Sequence, residues 1–332
     1  MTYPLEHPDA LRPRAEIAQN GGFHRAVERR KDTAWLQHAL SASETRVIPT
    51  WKGKVLLAGG RAAPRLGHLS GDACAWDKLA DSVSLLGVDA DGPWIVADLP
   101  RDAVPGSIPA IAEAGAFVDL RSAAMQLDGP SGALAAHARA LAWFHQRHRY
   151  CGVCGAPTLA TEAGNARKCS APECGATVYP RNDPAIIVLV HHTDAAGEVR
   201  CFLGRSPRFP PGMFSVLAGF SEAGEGLEAA VRREVHEEVG LDVEDIVYCG
   251  SQPWPFPQSL MLGFAARATH EDFTLDQEEI EAGRWFTRDE IRGLLSGDGD
   301  PLPEGVLWIP PPVSIARALI DQWLEGALPQ PA

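Results

Sequence analysis

The sequence predicts a mixed α/β protein in which two folded domains are joined by a cysteine-bearing module. Short β-rich runs such as RVIPTW and AIIVLVHH alternate with stretches of helical spacing near 130–149 and 226–239. Four cysteines are clustered from Cys151 to Cys174, between the two α/β regions. With 332 residues, 45% of them hydrophobic, the chain is long enough for two ordinary domains and a small module.

The predicted organisation has four parts. An amino-terminal arm (1–20) is followed by a smaller mixed α/β domain (21–130), a linker helix with the cysteine module (131–182) and a second α/β domain (183–326). The arm is polar and contains prolines. The first domain is predicted from the runs RVIPTW, KVLLAG, SVSLLGVDA and WIVADL. The second is predicted from AIIVLVHH, CFLGR, SVLAGF, VEDIVYCGSQPW, SLMLGFAARAT and GRWFT, with further helices over 288–295 and 313–325.

Charge and composition restrict the partners. A net charge of −13 argues against broad adhesion to nucleic acid or anionic lipid. No run of 18 apolar residues occurs and the amino terminus lacks the apolar stretch of a secretory signal, so we expect a cytoplasmic protein with no membrane partner. Seven cysteines, an odd number with one tight cluster, indicate a metal site in a reducing compartment instead of a disulfide framework.

The most informative segment is GFSEAGEGLEAAVRREVHEEVGL, residues 219–241. Glu234 and Glu238 are four residues apart, so both carboxylates project from one helix face, and Glu237 borders that face. Carboxylates crowded in this way need a cation, and oxygen ligands suit Mg²⁺ or Mn²⁺. The alternative is an ordinary amphipathic helix with a solvated acidic face.

The other residues of this segment have predicted structural roles. Leu227, Val231 and Val235 form an apolar ridge that can dock the helix on a sheet. Gly240 is placed as a helix C-cap, and Arg233 can brace one carboxylate through its planar guanidinium. Two further glycines are expected to permit the tight loop that leads into the helix, namely Gly219 and Gly224.

The cysteine cluster predicts a structural zinc ion. Cys151 and Cys154 are separated by two residues and Cys169 and Cys174 by four, and each pair lies in a glycine-containing turn. Four thiolates leave no open position on a tetrahedral Zn²⁺. Zinc ribbons can also bind nucleic acid, and basic residues here outnumber Glu162 and Glu173: Arg147, Arg149, Arg167, Lys168 and Arg181.

A proline-rich segment, SQPWPFPQS, follows the glutamates at 251–259. Three prolines and two aromatic residues predict a stiff, extended loop whose flat surfaces suit a nucleotide base or a nicotinamide ring. The alternative is a connection whose Trp254 and Phe256 only cap the core. Eight residues of the segment are candidates for contact with the substrate: Gln252, Pro253, Trp254, Pro255, Phe256, Pro257, Gln258 and Ser259.

The segment 219–241 resembles the Nudix box at every defining position, and the whole order of domains resembles bacterial NADH pyrophosphatases. RAVERRKDTAWL, residues 25–36, also looks like the amino-terminal domain of that family. The resemblance implies a Nudix α/β/α sandwich preceded by a zinc ribbon and a smaller mixed α/β domain. It further implies a homodimer whose site is completed across the interface.

The same resemblance implies roles for individual residues. Glu234, Glu237 and Glu238 would be the catalytic glutamates. The Mg²⁺ or Mn²⁺ ligands would be Glu234, Glu238, Glu279 and the main-chain carbonyl of Ala218, with Glu278 and Glu281 as near alternatives to Glu279. Substrate would border Tyr179, Phe220 and Ala316, although Phe220 could equally be a core residue.

The implied reaction is hydrolysis of NADH or NAD⁺ to nicotinamide mononucleotide and AMP. Three alternatives stay open at this point. The same chemistry could remove NAD caps from RNA 5′ ends, or it could act more broadly on ADP-ribose and other dinucleotides. The chain could also be a non-catalytic zinc-ribbon protein that binds nucleotides or RNA.

Overall fold

The computed structural model describes residues 24–60, 63–296 and 305–329. Contacts divide the described chain into two compact units. The amino-terminal unit contains residues 24–182 and, from much later in the chain, Trp254–Gln258. The carboxy-terminal unit contains Asp183–Pro253 and the described residues from 259 onward. The predicted arm, 1–20, lies outside the described residues, and the four-part division of the chain stays a prediction.

The amino-terminal unit is built on a mixed sheet in the order β3-β2-β1-β6-β5, with β4 beside β1 and β7 beside β2. Its strands are β1 (Arg46–Trp51), β2 (Lys54–Ala58), β3 (Arg65–Leu66), β4 (Leu69–Ser70), β5 (Ser82–Asp89), β6 (Gly92–Leu99) and β7 (Ala116–Asp119). Its helices are α1 (Thr33–Ala39), α2 (Trp76–Leu79), α3 (Pro109–Ala114), α4 (Leu120–Ala124) and α5 (Gly129–Arg147). Strands β1 and β6 are parallel.

Helix α5 covers one face of this sheet. The Asp128 side chain caps its start by accepting from Ser131 N at 2.7 Å. Leu134, Ala138 and Leu141 are buried against Ile48 and Val96 of the sheet, so the helical spacing in the sequence reflects a buried face.

The cysteine module follows α5 as a three-stranded antiparallel sheet in the order β10-β9-β8. Its strands are β8 (Thr158–Thr161), β9 (Ala166–Cys169) and β10 (Thr177–Val178). The module is tied to the amino-terminal sheet, because Asn165 Nδ2 donates to Leu85 O at 2.9 Å and Ser84 Oγ donates to Gly164 O at 3.3 Å.

The carboxy-terminal unit is an α/β/α sandwich around a sheet in the order β14-β15-β11-β12-β16, with β13 beside β11. Its strands are β11 (Asp183–Thr193), β12 (Val199–Arg205), β13 (Leu217–Phe220), β14 (Val243–Trp254), β15 (Ser259–Ala268), β16 (Ala282–Thr287), β17 (Leu295–Ser296) and β18 (Trp308–Ile309). Its helices are α6 (Leu227–Val239), α7 (Arg288–Gly293) and α8 (Ile315–Glu325).

Both faces of this second sheet are covered because β11 is apolar on both sides. Ile186 and Val188 pack in the core that contains α6, whereas Ile187 and Leu189 pack in the core that contains α8. The predicted mixed α/β fold and the predicted sandwich are therefore confirmed. No helix of the described residues has the length and apolarity that crossing a membrane requires.

Candidate active site

Helix α6 presents the glutamates as the sequence predicts. Val231 and Val235 are fully buried against the sheet, and Leu227 is partly buried beside them. Gly240 ends the helix with a positive φ of 66°, and its N–H donates to His236 O at 2.8 Å. Because the apolar face is docked on the sheet, the carboxylates of α6 project from the other sides of the helix.

Arg233 organises the acidic residues more extensively than predicted, because its guanidinium contacts three carboxylates. It binds Glu225 with two hydrogen bonds of 2.8 Å, and its Nη1 donates to Glu234 at 2.9 Å and Glu237 at 3.0 Å. Its Nη2 also donates to Phe220 O at 2.9 Å. Hydrogen bonds from Arg233 lower the pKa of Glu225 to about 2. Arg233 therefore fixes the loop before α6 to the helix.

Gly219 has a different role from the predicted one. Its φ is not positive, whereas Gly224, at φ 87°, does adopt the turn conformation expected of both. A Cβ on Gly219 would lie 2.0 Å from Glu234 Cδ and 2.1 Å from its Oε2. A side chain at 219 would therefore displace the Glu234 carboxylate, which packs directly on the main chain of β13.

Glu238 is the least compensated charge of the site. Its side chain is 6% exposed, and Oε2 has no hydrogen-bond partner. Burial, together with the negative charges of Glu234 and Glu279, raises the pKa of this carboxyl to about 8. Burial also raises the pKa of Glu234, although Arg233 opposes that shift. An unpaired buried carboxylate is costly unless a cation binds it.

The loop after β15 brings further acidic residues to α6. Asp276 N donates to Glu238 O at 2.9 Å, and Glu279 N donates to Asp276 O at 3.1 Å. Glu279 and Asp276 both raise the pKa of Glu238 by their charge. Glu281, by contrast, pairs with Arg205. Asp276 was not predicted as a site residue, and its only signal in the sequence is its position three residues before Glu279 in an acidic run.

These residues fit a divalent cation. The excess of carboxylates, the single bracing arginine and the orphaned Glu238 Oε2 form the donor set that hard cations prefer. Ala218, the predicted carbonyl ligand, precedes Gly219 in β13 and is paired with Ile187 of β11. The individual ligand and catalytic assignments stay predictions.

The proline-rich segment was wrongly predicted as an extended loop. Residues Pro255–Gln258 form a turn that connects β14 to β15, with a cis peptide bond between Phe256 and Pro257. The rings of Trp254 and Phe256 meet edge to face at a centroid distance of 5.0 Å. We call Trp254–Gln258 the proline turn. Pro253 and Pro257 are exposed, whereas Pro255 and Ser259 are buried.

Gln252 is fully occupied by backbone contacts. It is 1% exposed, its Nε2 donates to Val313 O at 2.8 Å, and its Oε1 accepts from Ile315 N at 2.9 Å. These bonds hold the start of α8, in which Ala316 is buried at 6% exposure. Direct contact of Gln252 and Ala316 with a substrate stays a prediction.

The two remaining aromatic candidates are accessible. Tyr179 is 55% exposed and Phe220 is 59% exposed. The alternative that Phe220 is a core residue is therefore wrong, because its ring does not pack in the interior of the carboxy-terminal unit. Exposed aromatic faces can stack on a flat ring.

The four cysteines form a compact sulfur cluster. Their ligand atoms all lie within 4.8 Å of one another. Cys151 and Cys174 sulfurs are 3.8 Å apart and those of Cys154 and Cys169 are 3.4 Å apart. These separations agree with a tetrahedral site whose zinc–sulfur bonds of about 2.3 Å place sulfurs about 3.8 Å apart. N–H groups of Cys154 and Val153 lower the pKa of Cys151 to about 7. The cluster supports a structural zinc ion.

Two of the basic residues near this cluster have structural partners. Arg149 Nη2 donates to Asp81 at 2.7 Å. Arg167 donates to Thr158 O and to His145 Nδ1, both at 2.8 Å. Lys168 and Arg181 are exposed. The basic surface is therefore smaller than the sequence suggests.

Family models match three consecutive parts of the chain. The NADH pyrophosphatase-like rudimentary NUDIX domain matches residues 44–143, the NADH pyrophosphatase zinc ribbon domain matches 146–179, and the NUDIX domain matches 181–305. These matches confirm the zinc ribbon and agree with the mixed α/β character of both flanking regions.

Named relatives match the chain over about 208 residues. The NAD-capped RNA hydrolase NudC of Mycobacterium bovis is 45% identical over 62% of this chain and 64% of its own length. The human NAD-capped RNA hydrolase NUDT12 is 41% identical over 61% of this chain and 44% of its own length. The match thus spans less than two thirds of these relatives. A solved structure, the NUDIX domain of Shewanella oneidensis NrtR complexed with ADP ribose, is 13% identical in sequence to this chain. The similarity covers 45% of this chain and 90% of that one, with a TM-score of 0.34.

Proposed function

Because the chain belongs to the Nudix hydrolase superfamily and carries the zinc ribbon and rudimentary domain of NADH pyrophosphatases, we propose that it hydrolyses NAD(H). The products are nicotinamide mononucleotide and AMP. The observation that carries the proposal is the buried Glu238 carboxylate. Its Oε2 has no partner among the described residues, and the charges of four neighbouring carboxylates raise its pKa. A non-catalytic nucleotide binder would have no use for so costly a group.

In this proposal, Glu234, Glu238 and Glu279 would hold Mg²⁺ or Mn²⁺, with the Ala218 carbonyl as a further ligand. When bound, the cations neutralise the pyrophosphate and acidify the attacking water. Glu237 is exposed and is held by Arg233 at 3.0 Å, so it can accept the proton of the water as the phosphorus–oxygen bond forms. The bridging pyrophosphate oxygen then leaves on the second mononucleotide.

The proline turn distinguishes NAD(H) from other nucleoside diphosphates in this proposal. Its two rings are locked edge to face, and a rigid aromatic surface binds a flat ring at low entropic cost. Tyr179 and Phe220 supply the exposed rings that are the other stacking candidates. Broader dinucleotide hydrolysis, the main alternative, would not need the proline turn.

The test is product analysis with NADH, NAD⁺ and ADP-ribose in Mg²⁺, in Mn²⁺ and in a chelator. We expect metal-dependent AMP and nicotinamide mononucleotide from NADH. Glu238→Gln should abolish turnover, and Glu228→Gln, an exposed position on the same helix, should retain it. Turnover that survives Glu238→Gln, or NADH left intact by folded, zinc-loaded protein, would overturn the proposal.

Removal of NAD caps from RNA is a second candidate. It is favoured by the activity in the names of the two relatives and by the exposed cations Lys168 and Arg181. Replacing both by Ala should slow cleavage of NAD-capped RNA and leave free NADH turnover unchanged. Arg149 and Arg167 are unsuitable for this test because they hold the cysteine module in place. Equal effects on both substrates would count against the RNA function.

We also propose a cytoplasmic location and a homodimer. The clustered free cysteines, which are typical of a reducing compartment, support the first, and the family resemblance supports the second. Sedimentation of the purified chain measures the second directly. A single monomeric species at micromolar concentration would overturn the dimer.

A further inference from the structure

The proline turn is packed within the amino-terminal unit, although its sequence lies far from that unit. Phe256 is partly buried and packs against the core cluster that includes Val55, Leu120 and Leu134. The turn is thus part of a hydrophobic core to which the rudimentary domain contributes most residues. The conformation of the proline turn is therefore set by its packing in that domain.

Two guanidinium groups lie over the Phe256 ring. Arg121 Cζ is 4.5 Å from the ring centroid, and Arg139 Cζ is 5.1 Å from it. Arg139 Nε and Nη1 are buried without a hydrogen-bond partner. The aromatic face, together with the negative charge of Asp119, therefore compensates the Arg139 guanidinium. Arg121 belongs to α4 and Arg139 to α5, so two helices fix one ring.

Helix α5 makes a second contact with the turn. Trp143, one turn of helix after Arg139, donates from Nε1 to Gln258 Oε1 at 3.2 Å. Arg147, one turn further, lies with Cζ 5.5 Å from the Trp143 ring. One stripe of α5 thereby touches the turn at Phe256 and Gln258, which lie on either side of Pro257.

We propose that Arg121, Arg139 and Trp143 are positioning residues that hold the proline turn in its substrate-selecting form. This inference rests on the proposed function, and it assigns a role to the rudimentary domain, which has no glutamate box of its own. A loop that is already ordered binds its ligand without a further entropic cost. Loss of the contacts should therefore weaken binding of the nicotinamide-bearing substrate and spare the chemistry at α6.

The experiment compares Arg121→Ala/Arg139→Ala, Arg139→Lys and Trp143→Phe with Arg101→Ala, an exposed arginine of the same unit. KM and kcat are measured for NADH and for ADP-ribose, which lacks nicotinamide. The double variant should raise the KM for NADH about tenfold with kcat within about threefold, and ADP-ribose kinetics should stay unchanged. Arg139→Lys should recover part of the loss, and Trp143→Phe should cost about two- to threefold.

A purely structural role would lower kcat for both substrates together, and that result would overturn the proposal. Hydrogen exchange at the amides of Phe256 and Gln258 gives a readout without turnover. It should accelerate about tenfold or more in the double variant but not in Arg101→Ala. If the wild-type protein hydrolyses no NADH, the proposed function fails, and unchanged exchange would separately refute the positioning role.

Discussion

Helices α5 and α6 pack in the same way on their sheets but differ in the charge of their side chains. Each packs an apolar face on a mixed sheet of its own unit. Helix α6 has four glutamates in 13 residues, whereas α5 has no acidic residue in 19. Packing of this kind therefore says little about function, and the charge left on the undocked face decides it.

The buried titratable groups of the two helices differ in the same way. In α6, burial raises the pKa of Glu238 to about 8, so the fold holds a carboxylate that a cation can stabilise. In α5, burial lowers the pKa of His137 to about 3 and that of His145 to about 4. Both histidines are neutral at pH 7 and need no counterion. Glu238 of α6 therefore requires a cation when it is ionised, whereas these two histidines of α5 do not require a ligand.

The largest predicted effect on activity is at Gly219, next to the glutamates of α6. Gly219→Ala places a Cβ about 2 Å from the Glu234 carboxylate, which must move. A displacement near 1 Å of a reacting group can cost about 100-fold in rate, so we expect a loss of that order in kcat. Gly226→Ala is the matched control, because nothing lies within 4 Å of its added Cβ. Steady-state kinetics with equal loss in both variants would refute this explanation.

The second prediction concerns the zinc ion of the cysteine module. Structural zinc contributes a large share of the folding energy of small modules, so Cys169→Ser should lower the melting temperature by more than about 10 °C. Metal analysis should find one zinc per wild-type chain and none in the variant. Cys74→Ser, outside the cluster, should retain zinc and most of the stability. Full stability without zinc would contradict the structural role.

The sequence predicts those features that rest on local spacing. The helix over 226–239, its C-cap at Gly240 and the four clustered cysteines follow from residue types at short separations. Features that rest on distant contacts were missed. Arg233 braces three carboxylates because the loop before α6 folds back on it, and the proline turn, which follows β14 in the chain, packs on α4 and α5. No local pattern encodes either contact.

The third prediction uses the sign of the Glu238 shift. Since its pKa is higher in the folded chain, metal-free protein should lose stability as pH rises from about 4.5 through about 8. Glu238→Gln should remove that loss and melt at least about 5 °C above wild type at pH 9 in a chelator. With saturating Mg²⁺ the order should reverse, because only the wild-type protein gains binding energy. Glu228→Gln should follow wild type in both conditions.

The smallest effect tests the α5 side of the comparison, where the sign is opposite. His145 Nε2 lies 2.8 Å from Gly164 O and Nδ1 lies 2.8 Å from Arg167 Nη1, so the neutral ring donates to the carbonyl and accepts from the guanidinium. Because the pKa of His145 is lowered by burial to about 4, its contribution is present above about pH 6.5 and is lost as pH falls through about 4.

Between pH 7.5 and pH 5 this loss amounts to about 2 kcal/mol of the free energy of unfolding. His145→Gln should be less stable than wild type at pH 7.5 but should lose correspondingly less on acidification, as measured by urea denaturation at both values. His38→Gln, at an exposed position of α1, serves as the control and should keep the wild-type dependence. If His145→Gln also keeps it, the acid sensitivity resides in groups other than His145, and the role given to this histidine is wrong.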